Sequence, residues 1–295
     1  MDILHSLPPY NFCGLDKEDT SFKKAKVIVL PVPYDSTTSY GAGTRNGPHA
    51  IIHASRNMEL YDHETETSPY ELGIHTLEEL APSMAGPKET IARVKEVIGD
   101  ILDAGKFPLM LGGEHSVTTG VLQALAERSK NFSVLQLDAH ADLRDEFEDT
   151  QFSHACVMRR AREITDVVQV GIRSMCEEEA NHIKQNKLKN IFYMPLDPTD
   201  FDKQIPKIVS ALKGNVYITL DVDALDPSEM PSTGTPEPAG MKSWQVLKLI
   251  KAITEKRKII GIDIVELSPI PGISAPDFLT AKLAYKMLGY ALYSK

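Results

Sequence analysis

Seven short apolar runs rich in β-branched residues recur along the chain: 26–32 (KVIVLPV), 107–111, 132–138, 167–172 (VVQVGI), 190–194, 215–221 (NVYITLD) and 258–264 (KIIGIDI). Runs with apolar residues at consecutive positions need cover on both faces. Between most of them lie stretches with helical period. In 88–105, Ile91, Val94, Ile98 and Ile101 recur at the spacing of one helix face. Strand–helix alternation on this scale predicts a mostly parallel sheet with helices on both sides. No internal repeat, low-complexity segment or linker divides the 295 residues, so one α/β domain over 1–295 is expected. The Pro/Gly-rich stretch 227–240 runs straight into a helical pattern and reads as a functional loop.

Composition narrows the partners. Cys13, Cys156 and Cys176 are odd in number, widely spaced and in no CxxC pattern, as expected of free thiols in a reducing cytosol. The N-terminal MDILHSLPPYNF has neither the basic region nor the apolar length of a signal peptide. No run of membrane-spanning length is present. A net charge of −9 argues against nucleic acid as the main partner and suits a small cation.

In an open parallel sheet, sites form at the carboxyl ends of the strands. Four of the runs end in chemistry. After 107–111 comes Gly112-Gly113-Glu114-His115-Ser116, and after 132–138 comes Ala139-His140-Ala141-Asp142. Run 215–221 ends in Asp221, followed by Asp223 and Asp226; run 258–264 holds Asp263, with Glu266 beyond. Such ends on one sheet edge would bring about six carboxylates together, and bare carboxylates repel. A metal cation, or two, relieves that repulsion. Alternate residues of an extended segment face the same way, so Asp138, His140 and Asp142 can address one point and Asp221 and Asp223 another. With His115 the set holds four carboxylates and two imidazoles. Six ligands exceed the three or four that one zinc ion takes and fit two ions sharing bridging carboxylates. Oxygen-rich ligation without thiolate favours Mn²⁺, with Co²⁺ or Ni²⁺ as substitutes.

The motifs GGEHS, DAHAD, SHAC, DVDALDP, TGTPEP and DIVELSP follow in this order over residues 112 to 269. They resemble the ureohydrolase family of arginases and agmatinases, most closely the agmatinases. The resemblance reaches back to Pro33–Ser55 with Gly41, Gly43 and Gly47. It implies the arginase/deacetylase fold, a three-layer α/β/α sandwich around an eight-stranded sheet, with two Mn²⁺ per subunit. By position, one ion would be held by His115, Asp138, Asp142 and Asp221 and the other by Asp138, His140, Asp221 and Asp223, with Asp138 and Asp221 bridging. His154 matches the acid/base histidine and Glu266 the guanidinium-binding glutamate, and Asp142 joins them in the expected catalytic set. Trimers or hexamers are implied as well.

The residues support the same chemistry. Two cations lower the pKa of a shared water so that hydroxide exists near neutral pH. With two Mn²⁺, four aspartates, a hydroxide and Glu266, the formal charge comes to about −2, which favours a cationic substrate. A guanidinium fits, because Glu266 can accept its paired N–H groups. His154 can give the departing amine its proton.

Arginases carry an asparagine two positions past the last aspartate of DAHxD, where this chain has Arg144 followed by Asp145 and Glu146. They also tend to be apolar where this chain has Glu237-Pro238. Both departures point to agmatine, hydrolysed to putrescine and urea, with N1-aminopropylagmatine as the alternative. Guanidinobutyrate and arginine each bring a carboxylate and are disfavoured. Arg144, Asp145 and Glu237 are the expected contacts for the far end of the substrate. A single-zinc deacetylase of the same fold would leave His115 and Asp223 superfluous, and a non-catalytic relative would need neither His154 nor Glu266.

Other features read as structural. Gly41-Ala-Gly43-Thr-Arg-Asn-Gly47 misses the GxGxxG spacing by one residue and reads as turn glycines leading into a helix at Pro48. Cys156 reads as a small packing residue, Arg159 and Arg160 as a solvated or subunit-contacting helix face, and Met158 and Trp244 as core or interface.

Overall fold

In the computed structural model, which describes residues 7–16 and 20–293, eight strands form one sheet: β1 (Val27–Val32), β2 (Ile74–Thr76), β3 (Phe107–Gly112), β4 (Ser133–Leu137), β5 (Asp166–Ile172), β6 (Ile191–Tyr193), β7 (Asn215–Asp221) and β8 (Lys258–Val265). Met1–Ser6 of the N-terminal segment read above, and Ser294–Lys295 at the end of the 1–295 unit, lie outside the described residues. The strand order is β2-β1-β3-β8-β7-β4-β5-β6, with every pairing parallel. Seven strands coincide with the seven apolar runs to within about two residues at each end. The eighth, β2, was not read from the sequence. It has only three residues, one of them apolar, and pairs along an edge with β1.

Eight helices cover the sheet: α1 (Gly47–Ser55), α2 (Pro87–Asp103), α3 (Thr118–Arg128), α4 (Val157–Ile164), α5 (Glu177–Gln185), α6 (Pro198–Ala211), α7 (Ser243–Thr254) and α8 (Ala275–Tyr293). Strand alternation divides them into two layers. Val27, Val29, Leu109, Leu111, Leu135 and Leu137 pack in one core with α1, α6, α7 and α8. Ile28, Leu30, Met110, Val134 and Tyr217 face the opposite core with α2, α3 and α4. Consecutive strand residues thus enter different cores, which is why the strands read as continuous apolar runs.

Helix α2 shows the local logic. Pro87 opens it in the first turn, where a missing N–H costs nothing, and Gly105 at φ 68° follows its end. Ile91, Val94, Ile98 and Ile101 are all buried, each contributing about 1.5–3 kcal/mol. Helix α1 opens at Gly47-Pro48, as the glycine-rich turn predicted. At the end of β3 only glycine fits position 113. A Cβ there would lie 1.9 Å from the Tyr34 carbonyl oxygen, which accepts the Glu114 N–H at 2.7 Å.

The structure narrows two readings that the sequence leaves as alternatives. Arg160 is buried, not on a solvated face, because the 145–151 loop folds back over α4 and surrounds its guanidinium. Trp244 is 54% exposed in the chain, which leaves interface as its reading, whereas Met158 is fully buried and belongs to the core. Cys156 is buried as a packing residue, and all three cysteines are free. No described helix is long and apolar enough to cross a membrane.

Candidate metal centre

The four strands with chemistry at their ends stand side by side, in the order β3, β8, β7, β4. The chain jumps from β3 past two places to β4, and β7 and β8 later fill the gap. Candidate ligands far apart in sequence therefore meet at the topological switch of the sheet.

His115 opens a 3₁₀ turn after β3 and is fully buried. Its Nδ1 lies 3.1 Å from Asp138, 3.2 Å from Asp142 and 3.5 Å from Asp221, yet makes no hydrogen bond of acceptable geometry. A buried nitrogen ringed by three carboxylate oxygens but bonded to none suits a shared cation. His115, Asp138 and Asp142 bring their ligand atoms within 4.8 Å of one another, as do Asp138, His140 and Asp223. Asp138 belongs to both groups, the position of a bridging ligand. Asp221 closes the set beside His115, and its Oδ1 accepts the Asp223 N–H.

Both imidazoles turn Nδ1 inward. His140 Nδ1 sits 2.8 Å from Asp223, while its Nε2 faces Glu237 at 3.7 Å. His115 Nε2 is 2.8 Å from the Thr219 hydroxyl, which lies against the buried Asp263 carboxylate. The His115 ring is thus hydrogen-bonded on its outer nitrogen, the arrangement that orients metal-binding histidines, whereas the His140–Glu237 contact is longer than a hydrogen bond. Asp138 is held by the Gln136 amide at 2.7 Å, and Gln136 accepts from Gln169 at 2.6 Å across the β4–β5 pair. Arg173 donates to the carbonyls of Asp223, Glu237 and Pro238, tying the loop after β7 to the 233–240 loop. Asp263 and Asp226 stand apart from the ligands: Asp263 accepts from Tyr217 and Thr118, and Asp226 pairs with Ser228 and Lys242.

Asp142 (φ 52°) and Glu266 (φ 65°) both occupy the left-handed region, which non-glycine residues rarely adopt. Their surroundings enforce it. The Asp142 carbonyl accepts the N–H groups of Met158 and Arg159 in α4, and the Glu266 N–H is bound by the Gly113 carbonyl. Strain held in this way clusters at functional sites.

The charges respond to this crowding. Burial, then the Asp142 and Asp223 carboxylates, push Asp138 up to about 8. Burial and neighbouring carboxylates likewise raise Asp221 and Glu266 well above the carboxylate range. Burial alone would lower the histidines, but the surrounding aspartates raise His115 well above its usual value and His140 to about 11. Asp223 goes the other way, to about 2, because His140 outweighs its burial. The protons on these groups must leave before they can ligate a cation.

A pH dependence follows. Asp138 and both histidines hold protons in the folded metal-free chain that the unfolded chain releases at lower pH. Their contribution to metal-free stability is present at low pH and lost as pH rises, for Asp138 between 3.8 and about 8 and for the histidines above 6.5. Asp223 opposes this only below its ordinary value of 3.8. Cation binding gains over the same range. Thermal unfolding with and without Mn²⁺ is expected to show a larger Mn²⁺-induced rise in Tm at pH 8.5 than at pH 6. A tenfold gain in apparent affinity is about 1.4 kcal/mol, or a few degrees. An equal rise at both pH values would contradict the ligand assignment.

A cavity of about 230 Å³ opens over the cluster. His115, His140, Asp142, Asp221, Asp223, Glu266, His154 and Arg144 line it, together with Gly234 and Thr235 of the 227–240 loop. Glu266 is 8% exposed and accepts the His115 N–H at 2.6 Å. Arg144 lies over the Phe147 ring at 4.6 Å, with no carboxylate in ion-pair range among the described residues. Phe147 meets His154 edge-on at 6.2 Å. Asp145 instead pairs with Arg160 at 2.6 Å, and Glu237 stands against His140; neither lines the cavity. Sequence reasoning missed Thr37, Gln136, Thr219 and Arg173, and gave no role to Glu114. The clue to Gln136 was a buried amide within an apolar strand. Thr37 carried no local clue.

The model of the arginase family matches residues 25–291. The chain is 40% identical over 282 residues to the N(1)-aminopropylagmatine ureohydrolase of Synechocystis, covering 92% of this chain and 90% of that protein. It is 33% identical to the agmatinase of Pyrococcus horikoshii, covering 95% and 98%. The agmatine ureohydrolase of Thermoplasma volcanium superposes with a TM-score of 0.86 at 31% identity, covering 98% of this chain and 95% of that one. A family match across nearly the whole sheet, joined to the ligand cluster at its switch point, leaves one conclusion: the chain belongs to the arginase family.

Proposed function

We propose that the protein is a binuclear ureohydrolase, one unit over residues 1–295, that hydrolyses the guanidinium group of agmatine to urea and putrescine. The observation that carries this reading is the cluster of four aspartates and two histidines facing Glu266 and His154 across one cavity. Two divalent cations, Mn²⁺ by the oxygen-rich donor set, held by His115, Asp138, His140, Asp142, Asp221 and Asp223 would make hydroxide available near neutral pH. Glu266 binds the paired N–H groups of the guanidinium and sets its carbon above the cluster. The acidic floor draws the cation in. His154 delivers a proton to the amine as the C–N bond breaks, so that water's oxygen ends on urea and the amine leaves neutral. The reading extends to a cytoplasmic homotrimer or homohexamer.

N1-aminopropylagmatine, which shares the guanidine end, is the second reading, favoured by the name of the relative at 40% identity. Against both stands Arg144 in the cavity wall, with no ion-pair partner among the described residues, which offers a cation to a carboxylate-ended guanidine. A comparison of kcat/KM at one pH and Mn²⁺ concentration separates these. Agmatine or aminopropylagmatine is expected to exceed arginine and 4-guanidinobutyrate by about ten- to a hundredfold, the worth of one charged contact. If arginine matches both amines, Arg144 is a carboxylate receptor and the preference is wrong.

A further inference from the structure

Glu114 follows β3 and is fully buried, yet it lies outside both ligand groups. Its carboxylate gathers three donors. The Thr37 N–H reaches Oε2 at 2.6 Å, and the hydroxyls of Thr37 and Ser116 reach Oε1 at 2.7 Å and 2.5 Å. A hydroxyl has one proton to give. With that proton on Glu114, the Thr37 oxygen has only lone pairs left to offer. His154 takes them: its backbone N–H lies 3.0 Å from Thr37 Oγ1 and its ring Nδ1 lies 3.3 Å away. Ser153 Oγ also lies near this nitrogen, at 3.4 Å; it accepts the Ala155 N–H and keeps a proton of its own that competes with Thr37, a competition that Ser153→Ala removes.

We infer that Glu114, acting through Thr37, holds neutral His154 as the Nδ1–H tautomer and so leaves Nε2 as the ring position that gains and loses the reaction's proton. The consequence for turnover rests on the acid/base role proposed for His154; the tautomer itself does not. A proton arriving at Nε2 makes an imidazolium whose Nδ1–H already points to a hydroxyl polarised by a carboxylate, so no rotation or exchange is needed. Glu114 and Thr37 are therefore positioning residues, separated by 77 positions and joined by the packing of the loop after β1 against the end of β3.

The test is ¹H–¹⁵N spectroscopy of the histidine side chains in the metal-free chain, with His154 assigned by the signals lost in His154→Asn. Wild type is expected to show the Nδ1–H tautomer. Thr37→Ser and Ser153→Ala should keep it. Thr37→Val should shift the population toward Nε2–H. Glu114→Gln should do so further, because a side-chain amide can donate to Thr37 and free its hydroxyl to donate to Nδ1. An Nε2–H tautomer in wild type, or one unmoved by both Thr37→Val and Glu114→Gln, overturns the inference. If Glu114→Gln does not fold, the Thr37→Val and Thr37→Ser pair decides. In the Mn²⁺-loaded enzyme, Thr37→Val should lower kcat about 10- to 100-fold with KM and metal content unchanged, and Thr37→Ser should restore it. The expected spectra together with undiminished turnover in His154→Asn would sink the acid/base reading and leave the tautomer assignment standing.

Discussion

Asp138→Asn is expected to lower turnover by at least about 10³-fold, the several kcal/mol that a metal pair supplies, while the chain stays folded. Asp138 is the residue common to both ligand groups, so its loss weakens both cation positions at once. Its oxygens accept the His140 N–H at 2.6 Å and the Gln136 amide at 2.7 Å. Asparagine keeps the shape but has only one carbonyl oxygen, and its own amide would meet Gln136 donor to donor. That buried donor pair should cost about 1–3 kcal/mol of stability without unfolding the chain. Burial and the Asp142 and Asp223 carboxylates push the Asp138 carboxyl up to about 8, so a neutral side chain there relieves like-charge repulsion in the metal-free chain. The metal-free variant should still melt a few degrees below wild type, and Mn²⁺ should no longer raise its Tm. Full turnover in the variant would remove Asp138 from the centre.

His154→Asn is the second large effect. A positioned acid or base is worth about 10²–10⁴ in rate, and the variant should lose that much in kcat. His154 lines the cavity but belongs to neither ligand group, so metal content should stay unchanged. Asparagine also keeps the backbone N–H that binds Thr37. Metal analysis alongside kinetics separates the two roles: loss of bound Mn²⁺ in this variant would make His154 a ligand and not a proton donor.

Much of this was legible in the sequence, and the reason is periodicity. Strands buried on both faces announce themselves as apolar runs, and ligands at alternate positions of a strand end, such as Asp138, His140 and Asp142, share a direction without any tertiary knowledge. What escaped depends on contacts between distant segments. β2, Ile74-His75-Thr76, has no pattern of its own and exists because β1 offers an edge. Thr37 matters only because Glu114 and His154 close on it from residues 77 and 117 positions away. The helical pattern of α4 gave Arg160 a place on a helix face but could not show that Asp145 and Gln151 return to cover it. The same return draws Asp145 away from the cavity where the local sequence had suggested it, and Arg173 similarly gathers carbonyls of two loops that only the fold brings together.

A two-cation site would rest on six side chains at three strand ends, those of β3, β7 and β4. Metal analysis of protein reconstituted with excess Mn²⁺ and then desalted tests it most directly. Two Mn²⁺ per chain are expected, both lost in Asp138→Asn. A stoichiometry that stays at one under saturating Mn²⁺ would contradict it.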